Sequence, residues 1–136
     1  MFRYFCKSKI HRATVTEANI DYMGSITIST DLMKAADLYP YEKVSVVDID
    51  NGARLETYVI PATGPTGDIC LNGAAARLIS KGDKVIIISY CMLSADEIAE
   101  FRPKLVFVDE KNAIRQVKEG VEQPFKSHLH LLTENI

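Results

Sequence analysis

The chain has 136 residues, 47% of them hydrophobic and 25% charged, with a formal net charge of -2. That length supports one domain with a real core, and the balance is that of a globular rather than a disordered chain. The slight negative charge and scattered lysines and arginines exclude a nucleic-acid binder working through a broad basic face, a β-rich DNA regulator included.

The opening MFRYFCKSKIHR is too interrupted by charge for a signal peptide. The apolar run from Val85 to Ile88 is far too short to cross a bilayer. The expectation is a soluble, cytoplasmic protein with no membrane partner. Cys6, Cys70 and Cys91 form no CxxC pair and sit among apolar or β-prone residues, as reduced thiols do, rather than in disulfides or a metal site.

Six β-branched or aromatic runs are predicted strands: 12–18, 25–30, 43–49, 54–60, 84–90 and 104–110. Asn51-Gly52, Gly64-Pro65, Gly82-Asp83 and Pro103 mark breaks between them. Short helices are expected from the N-cap candidate Asp31 in DLMKAADL and from Asn72 in NGAAARLIS. A third starts at Ser94, with Glu97 three residues on in a capping-box pattern. Residues 32–49 align with 73–90 at a constant offset of 41, matching Leu38 to Ile79, Glu42 to Asp83, and Lys43-Val44 to Lys84-Val85. Each copy reads as short helix, acidic turn and buried strand. A unit used twice suggests a pseudo-two-fold barrel, whose closure removes exposed edges. From about Ala113 the chain is polar, lacks firm periodicity and reads as a poorly defined tail to residue 136. His128 and His130 within it supply two nitrogens without a third ligand, a poor metal site.

Four places carry candidate chemistry, each with a plainer reading beside it. Gly24-Ser25 is first of all a loop dipeptide. A serine hydroxyl can nonetheless attack the carbonyl before it when the backbone is strained, and glycine suits the preceding position because it lacks Cβ. The ester so formed can eliminate to dehydroalanine and hydrolyse to a pyruvoyl group, an electron-accepting carbonyl made from the chain itself. Lys9 and Arg54 are either solvated strand-end charges or a carboxylate clamp, with the guanidinium offering a bidentate fork. In RLETY, Arg54, Glu56 and Tyr58 share one strand face, with Leu55 and Thr57 on the other. Tyr58 could pack at a barrel surface or hand its phenolic proton to a carbanion. Asn72-Gly73-Ala74-Ala75 reads as a tight helix–strand junction or as bare backbone N–H groups ready for a carboxylate.

Together KIHRATVTEANIDYMGSITI, NGARLETY, ICLNGAAAR and GDKVIIISY resemble the aspartate 1-decarboxylase family, the pyruvoyl enzymes that make β-alanine for pantothenate and coenzyme A biosynthesis. The resemblance runs from about Arg3 to Pro103. It implies an all-β fold, a six-stranded double-psi β-barrel with short helices, in agreement with the internal repeat. It implies self-cleavage between Gly24 and Ser25, giving a β chain 1–24 and an α chain 25–136 that starts with the Ser25-derived pyruvoyl group. That group would form a Schiff base with L-aspartate and accept the electrons released as CO₂ departs; no metal and no pyridoxal phosphate would be needed. By family role Tyr58 is the proton donor and Thr57 contacts substrate and polarises the Gly24 carbonyl. Lys9 and Arg54 hold carboxylates, and Asn72, Gly73, Ala74 and Ala75 complete the substrate site. A homotetramer with active sites between subunits is implied as well. Strand alternation sets Thr57 opposite Tyr58, so a subunit interface or a bulge is needed for both to serve one site.

The chain departs from the family pattern at Phe5, Ser8 and Val47 and in the 63–68 loop TGPTGD, so roles of the usual residues there do not transfer. The alternative is an unprocessed barrel of the same fold acting as a small-ligand binding module. A pyridoxal phosphate enzyme, with Lys9 as Schiff-base lysine, is disfavoured by the short chain and the lack of a phosphate cup.

Overall fold

A computed structural model describes residues 1–120, and the histidine pair at 128 and 130 lies outside the described residues. Nine strands dominate: β1 Phe2–Thr14, β2 Glu17–Asn19, β3 Ser25–Ile28, β4 Lys43–Asp48, β5 Arg54–Pro61, β6 Ile69–Asn72, β7 Lys84–Ser94, β8 Lys104–Val108 and β9 Ile114–Glu119. The helices are short: α1 Thr30–Ala35, α2 Ala95–Ile98 and a 3-10 turn Gly73–Arg77. The strands form one sheet in the order β2-β6-β3-β5-β4-β7-β1-β8-β9. The all-β expectation with short helices therefore holds, but among the described residues the sheet counts nine strands rather than six and its order is open at β2 and β9. Among the described residues, no helix is long and apolar enough to cross a membrane.

The core is a cluster of β-branched and aliphatic side chains from both repeats, including Val44, Val46, Val85 and Ile87, and from β3 and β6, including Ile26, Ile28, Ile69 and Leu71. Burying each isoleucine or leucine is worth about 1.5–3 kcal/mol. The repeat is visible as a local two-fold relationship. The offset of 41 carries Ile28 to Ile69 and Val46 to Ile87, and each of these pairs sits directly opposite across two antiparallel strands. The acidic turns match in the same way. Tyr41 N–H donates to the Val59 carbonyl while Val59 N–H donates to Glu42; Gly82 N–H donates to Val15 while Val15 N–H donates to Asp83.

Several boundaries differ from expectation. The run 12–18 is not one strand: β1 begins ten residues earlier and ends at Thr14, and β2 follows separately. Its N-terminal half pairs with β7 from Phe2↔Ser94 inward, so backbone hydrogen bonds hold a segment whose charges hide its periodicity. The segment after Ala113 is not irregular throughout, because β9 pairs with β8 up to Lys104↔Glu119. Ser29 rather than Asp31 precedes the first turn of α1, and the segment from Asn72 forms a 3-10 turn of five residues. The capping box at Ser94 forms as expected, with the Ser94 N–H donating to the Glu97 carboxylate at 2.9 Å.

Candidate active site

The site starts from the antiparallel pairing of β3 with β6, which sets Ser25 opposite Asn72 and Thr27 opposite Cys70. Because side chains alternate, these four polar residues share one face of the pair. Ser25 has no exposed surface. Its hydroxyl donates to the Met23 carbonyl at 3.1 Å and accepts from the Asn72 amide nitrogen at 3.0 Å. The same nitrogen reaches the Thr27 hydroxyl at 2.9 Å, and the Cys70 thiol donates to the Asn72 amide oxygen at 3.1 Å. Burial, then the nearby carboxylates of Glu17 and Asp68, push the Cys70 thiol above its ordinary range and keep its proton on sulfur.

The backbone before Ser25 is exposed at Gly24 and lies against Gly73. Gly73 has φ +69°, and a Cβ there would meet the Gly24 backbone at 2.8 Å. Only glycine meets both demands at this position.

Gly24 opens onto a cavity of about 400 Å³ that is also lined by Thr57, Tyr58, Asn72, Ala74 and Ala75. Thr57 and Tyr58 both line this cavity although strand alternation sets them on opposite faces of β5. β3 pairs in parallel with β5 only from Ile26↔Val59 onward. Continuing that register by two residues sets Gly24 opposite Thr57 and Ser25 opposite Tyr58. No β3–β5 pairing is formed at these two positions, and both Thr57 and Tyr58 border the cavity. The β4–β5 register shows no bulge in this stretch. Tyr58 is further held by a stacked contact with Tyr41, ring centroids 6.1 Å apart and planes 27° apart.

The two predicted cations stand elsewhere. Arg54 is exposed at the start of β5, opposite Val47. Lys9 is half-buried in β1 between Ile88 of β7 and Leu105 of β8. Lys9, Ile88, Ser45 and Glu56 are successive partners across four strands, so Lys9 lies three strand spacings, roughly 14 Å, from β5. Among the described residues, Glu56 is the only charged one lining the cavity, and it pairs with Lys43 at 3.0 Å. One chain thus assembles Gly24, Ser25, Thr57, Tyr58, Asn72, Gly73, Ala74 and Ala75, but not Lys9 or Arg54. Sequence reasoning missed Thr27 and Cys70. Their signal was period two: Ser25 and Thr27 alternate on one strand, as do Cys70 and Asn72 on the other.

Fold and site together define a β-sheet protein with a buried, hydrogen-bonded serine that follows a glycine at the mouth of a cavity. The aspartate decarboxylase family profile matches residues 1–115. An aspartate 1-decarboxylase of Acetivibrio thermocellus is 62% identical over 118 residues, covering 87% of this chain and 94% of its own. Those of Clostridium botulinum and Caldicellulosiruptor bescii are 61% and 57% identical, over 82% and 90% of this chain and 87% and 95% of their own. The chain belongs to the aspartate decarboxylase family.

Proposed function

We propose that this protein decarboxylates L-aspartate to β-alanine and CO₂, a carboxy-lyase reaction feeding pantothenate and coenzyme A biosynthesis, and that it makes its own pyruvoyl group from Ser25. The observation that carries the reading is the buried Ser25 hydroxyl, gripped by Met23 and Asn72 beside a glycine that opens on a cavity. Attack of Ser25 Oγ on the Gly24 carbonyl closes a five-membered ring and breaks the Gly24–Ser25 amide, leaving an ester and a free amine. Loss of the Ser25 α-proton then expels the Gly24 carboxylate and leaves dehydroalanine. Water replaces its nitrogen as ammonia, which gives the ketone; no outside oxidant is required.

The residues fit such a group: Gly73 leaves the backbone beside Ser25 uncrowded, and the Asn72 amide is a donor held next to Ser25, whose Oγ departs with the Gly24 carboxylate and whose ketone oxygen comes from water. Once formed, the group supplies a ketone that bonds the substrate amine and takes the electron pair left by CO₂. Tyr58 delivers the proton to the former α-carbon. Thr57 polarises the Gly24 carbonyl during cleavage and later contacts substrate, and Asn72, Gly73, Ala74 and Ala75 line the substrate pocket. Aspartate carries two carboxylates, whereas among the described residues the cavity of one chain is lined by a single charged residue, Glu56, paired with Lys43. Lys9 and Arg54 of a neighbouring copy therefore complete the site, which supports a homotetramer with active sites between subunits. We read residues 1–136 as one cytoplasmic domain, cleaved into 1–24 and 25–136. The local two-fold supports a six-stranded double-psi barrel at its heart.

Denaturing mass spectrometry tests this, with and without L-aspartate and borohydride. Cleavage after Gly24, with a blocked 112-residue fragment that gains a reducible amine adduct, is expected. The Ser25→Ala chain is expected to stay whole and inactive. An intact 15.2 kDa wild-type species after prolonged incubation would mean either that maturation needs a partner protein, an unidentified maturation factor, or that the binding-module alternative holds.

A further inference from the structure

We propose that Cys70 is a positioning residue for self-cleavage at Gly24–Ser25, acting through the side-chain amide of Asn72; the inference rests on the self-processing reading above.

A primary amide can turn end for end about its last side-chain bond, exchanging its donor and acceptor, and only one orientation serves Ser25. The Ser25 hydroxyl proton is committed to the Met23 carbonyl at 3.1 Å, so Ser25 Oγ faces Asn72 as an acceptor. An Asn72 amide turned the other way would set its oxygen against that lone pair. Two contacts select the useful orientation. On the far side the Cys70 thiol donates to Asn72 Oδ1 at 3.1 Å, and on the near side Asn72 Nδ2 spans Ser25 Oγ at 3.0 Å and Thr27 Oγ1 at 2.9 Å. Burial and two neighbouring carboxylates keep the thiol protonated and so able to donate. The consequence reaches the reacting atom. Nδ2 fixes where Oγ stands relative to the Gly24 carbonyl, and it supports the charge that develops on Oγ as its proton leaves.

Cys70 touches no reacting atom, so its effect is that of one weak hydrogen bond, on the order of three- to tenfold in rate. The test follows cleavage of freshly translated chains by mass spectrometry for wild type, Cys70→Ala and Cys70→Ser, with thermal midpoints measured alongside. Cys70→Ala is expected to slow cleavage by that factor with little change in midpoint, and Cys70→Ser, which keeps a donor at the same place, to restore it. Wild-type speed in Cys70→Ala would overturn the proposal. Equal slowness in Cys70→Ser would overturn it too, by assigning the effect to volume. If wild type itself never cleaves, the self-processing reading falls first, and the Asn72 side-chain amide signals in nitrogen-15 spectra decide this one. Signals shifted in Cys70→Ala and restored in Cys70→Ser support the oriented amide; unmoved signals sink it.

Discussion

Gly73 stands so close to Gly24 that a Cβ on it would fall 2.8 Å from both the Gly24 Cα and nitrogen and 2.9 Å from the Tyr22 carbonyl oxygen. All three obstacles are backbone atoms, which cannot swing aside. The left-handed φ of +69° adds about 1–2 kcal/mol for any residue with a side chain. Gly73→Ala is therefore expected to displace the Gly24–Ser25 peptide and slow self-cleavage by about a hundredfold or more, the usual consequence of misplacing reacting groups by an ångström. Gly82→Ala is the matched control. Gly82 has φ +93° but open space where a Cβ would go, so that variant loses thermal stability and keeps its cleavage rate. Mass spectrometry beside a melting curve separates the two effects.

The sequence showed most clearly what chemistry repeats. Glu42-Lys43-Val44 and Asp83-Lys84-Val85 mark both acidic turns and the strands they launch, because turn residues and buried strands leave strong local signals. β1 stayed half hidden because Lys7, Lys9 and Arg12 interrupt its apolar residues. β9 left no signal because all six of its residues are exposed, so no face imposes a period. At the site, Ser25, Tyr58 and Asn72 were legible as individual chemical groups. Cys70 was read only as a reduced thiol, since its role depends on the β3–β6 register, which a single strand does not encode. Alternation set Thr57 and Tyr58 on opposite faces of β5, and it could not show that one cavity is bordered by both, because that depends on how β5, β6 and the Gly73–Arg77 turn come together.

Tyr58→Phe removes one oxygen and keeps the ring that stacks on Tyr41. Folding and self-cleavage are expected to proceed as in wild type, and turnover of aspartate to fall by about 10²–10⁴, the range for loss of a positioned proton donor. Quantifying β-alanine from fully cleaved protein checks this. Normal turnover in that variant would remove Tyr58 from the reaction.

Arg54→Ala should leave the Gly24 cavity untouched, since Arg54 does not line it, and should raise the KM for aspartate. A hydrogen-bonded charge is worth about 1.5–3 kcal/mol, so the increase is on the order of ten- to a hundredfold. Mixing subunits tests where the guanidinium acts. With sites between copies, co-expressed Arg54→Ala and Tyr58→Phe chains should recover activity that neither has alone, because some interfaces join an intact Arg54 to an intact Tyr58. If both residues serve the same chain's site, no mixed site is whole and activity stays at the mutant level.

Asp48 is expected to make stability depend on pH. Its side chain is fully buried at the end of β4, where Oδ1 accepts the N–H groups of Asp50 at 2.8 Å and Asn51 at 3.2 Å. Among the described residues Oδ2 has no hydrogen-bond partner, yet carboxylate oxygens of Asp48, Asp50 and Asp83 lie within 4.8 Å of one another. The neighbouring Lys84 gives its ammonium to Thr14 at 2.6 Å and only its backbone N–H to Asp50. Burial first, and the approach to Asp83 second, hold the Asp48 carboxyl above its ordinary range. Protonation of Asp48 relieves the charge repulsion between the two acids. The folded chain thus keeps a proton that the unfolded chain releases, so stability is greatest on the acid side and falls as pH rises from the ordinary aspartate pKa through the raised one. Asp48→Asn installs a permanent N–H donor of the same shape. It should match wild type near about pH 4 and exceed it in thermal midpoint near about pH 8, where wild-type Asp48 has lost its proton or must hold it at a cost. Because carboxyls distant from Asp48 titrate equally in both proteins, the difference between their midpoints isolates the Asp48, Asp50 and Asp83 cluster. A difference that stays constant across that range would show that Asp48 is ionised throughout and that the acid pair shares no proton.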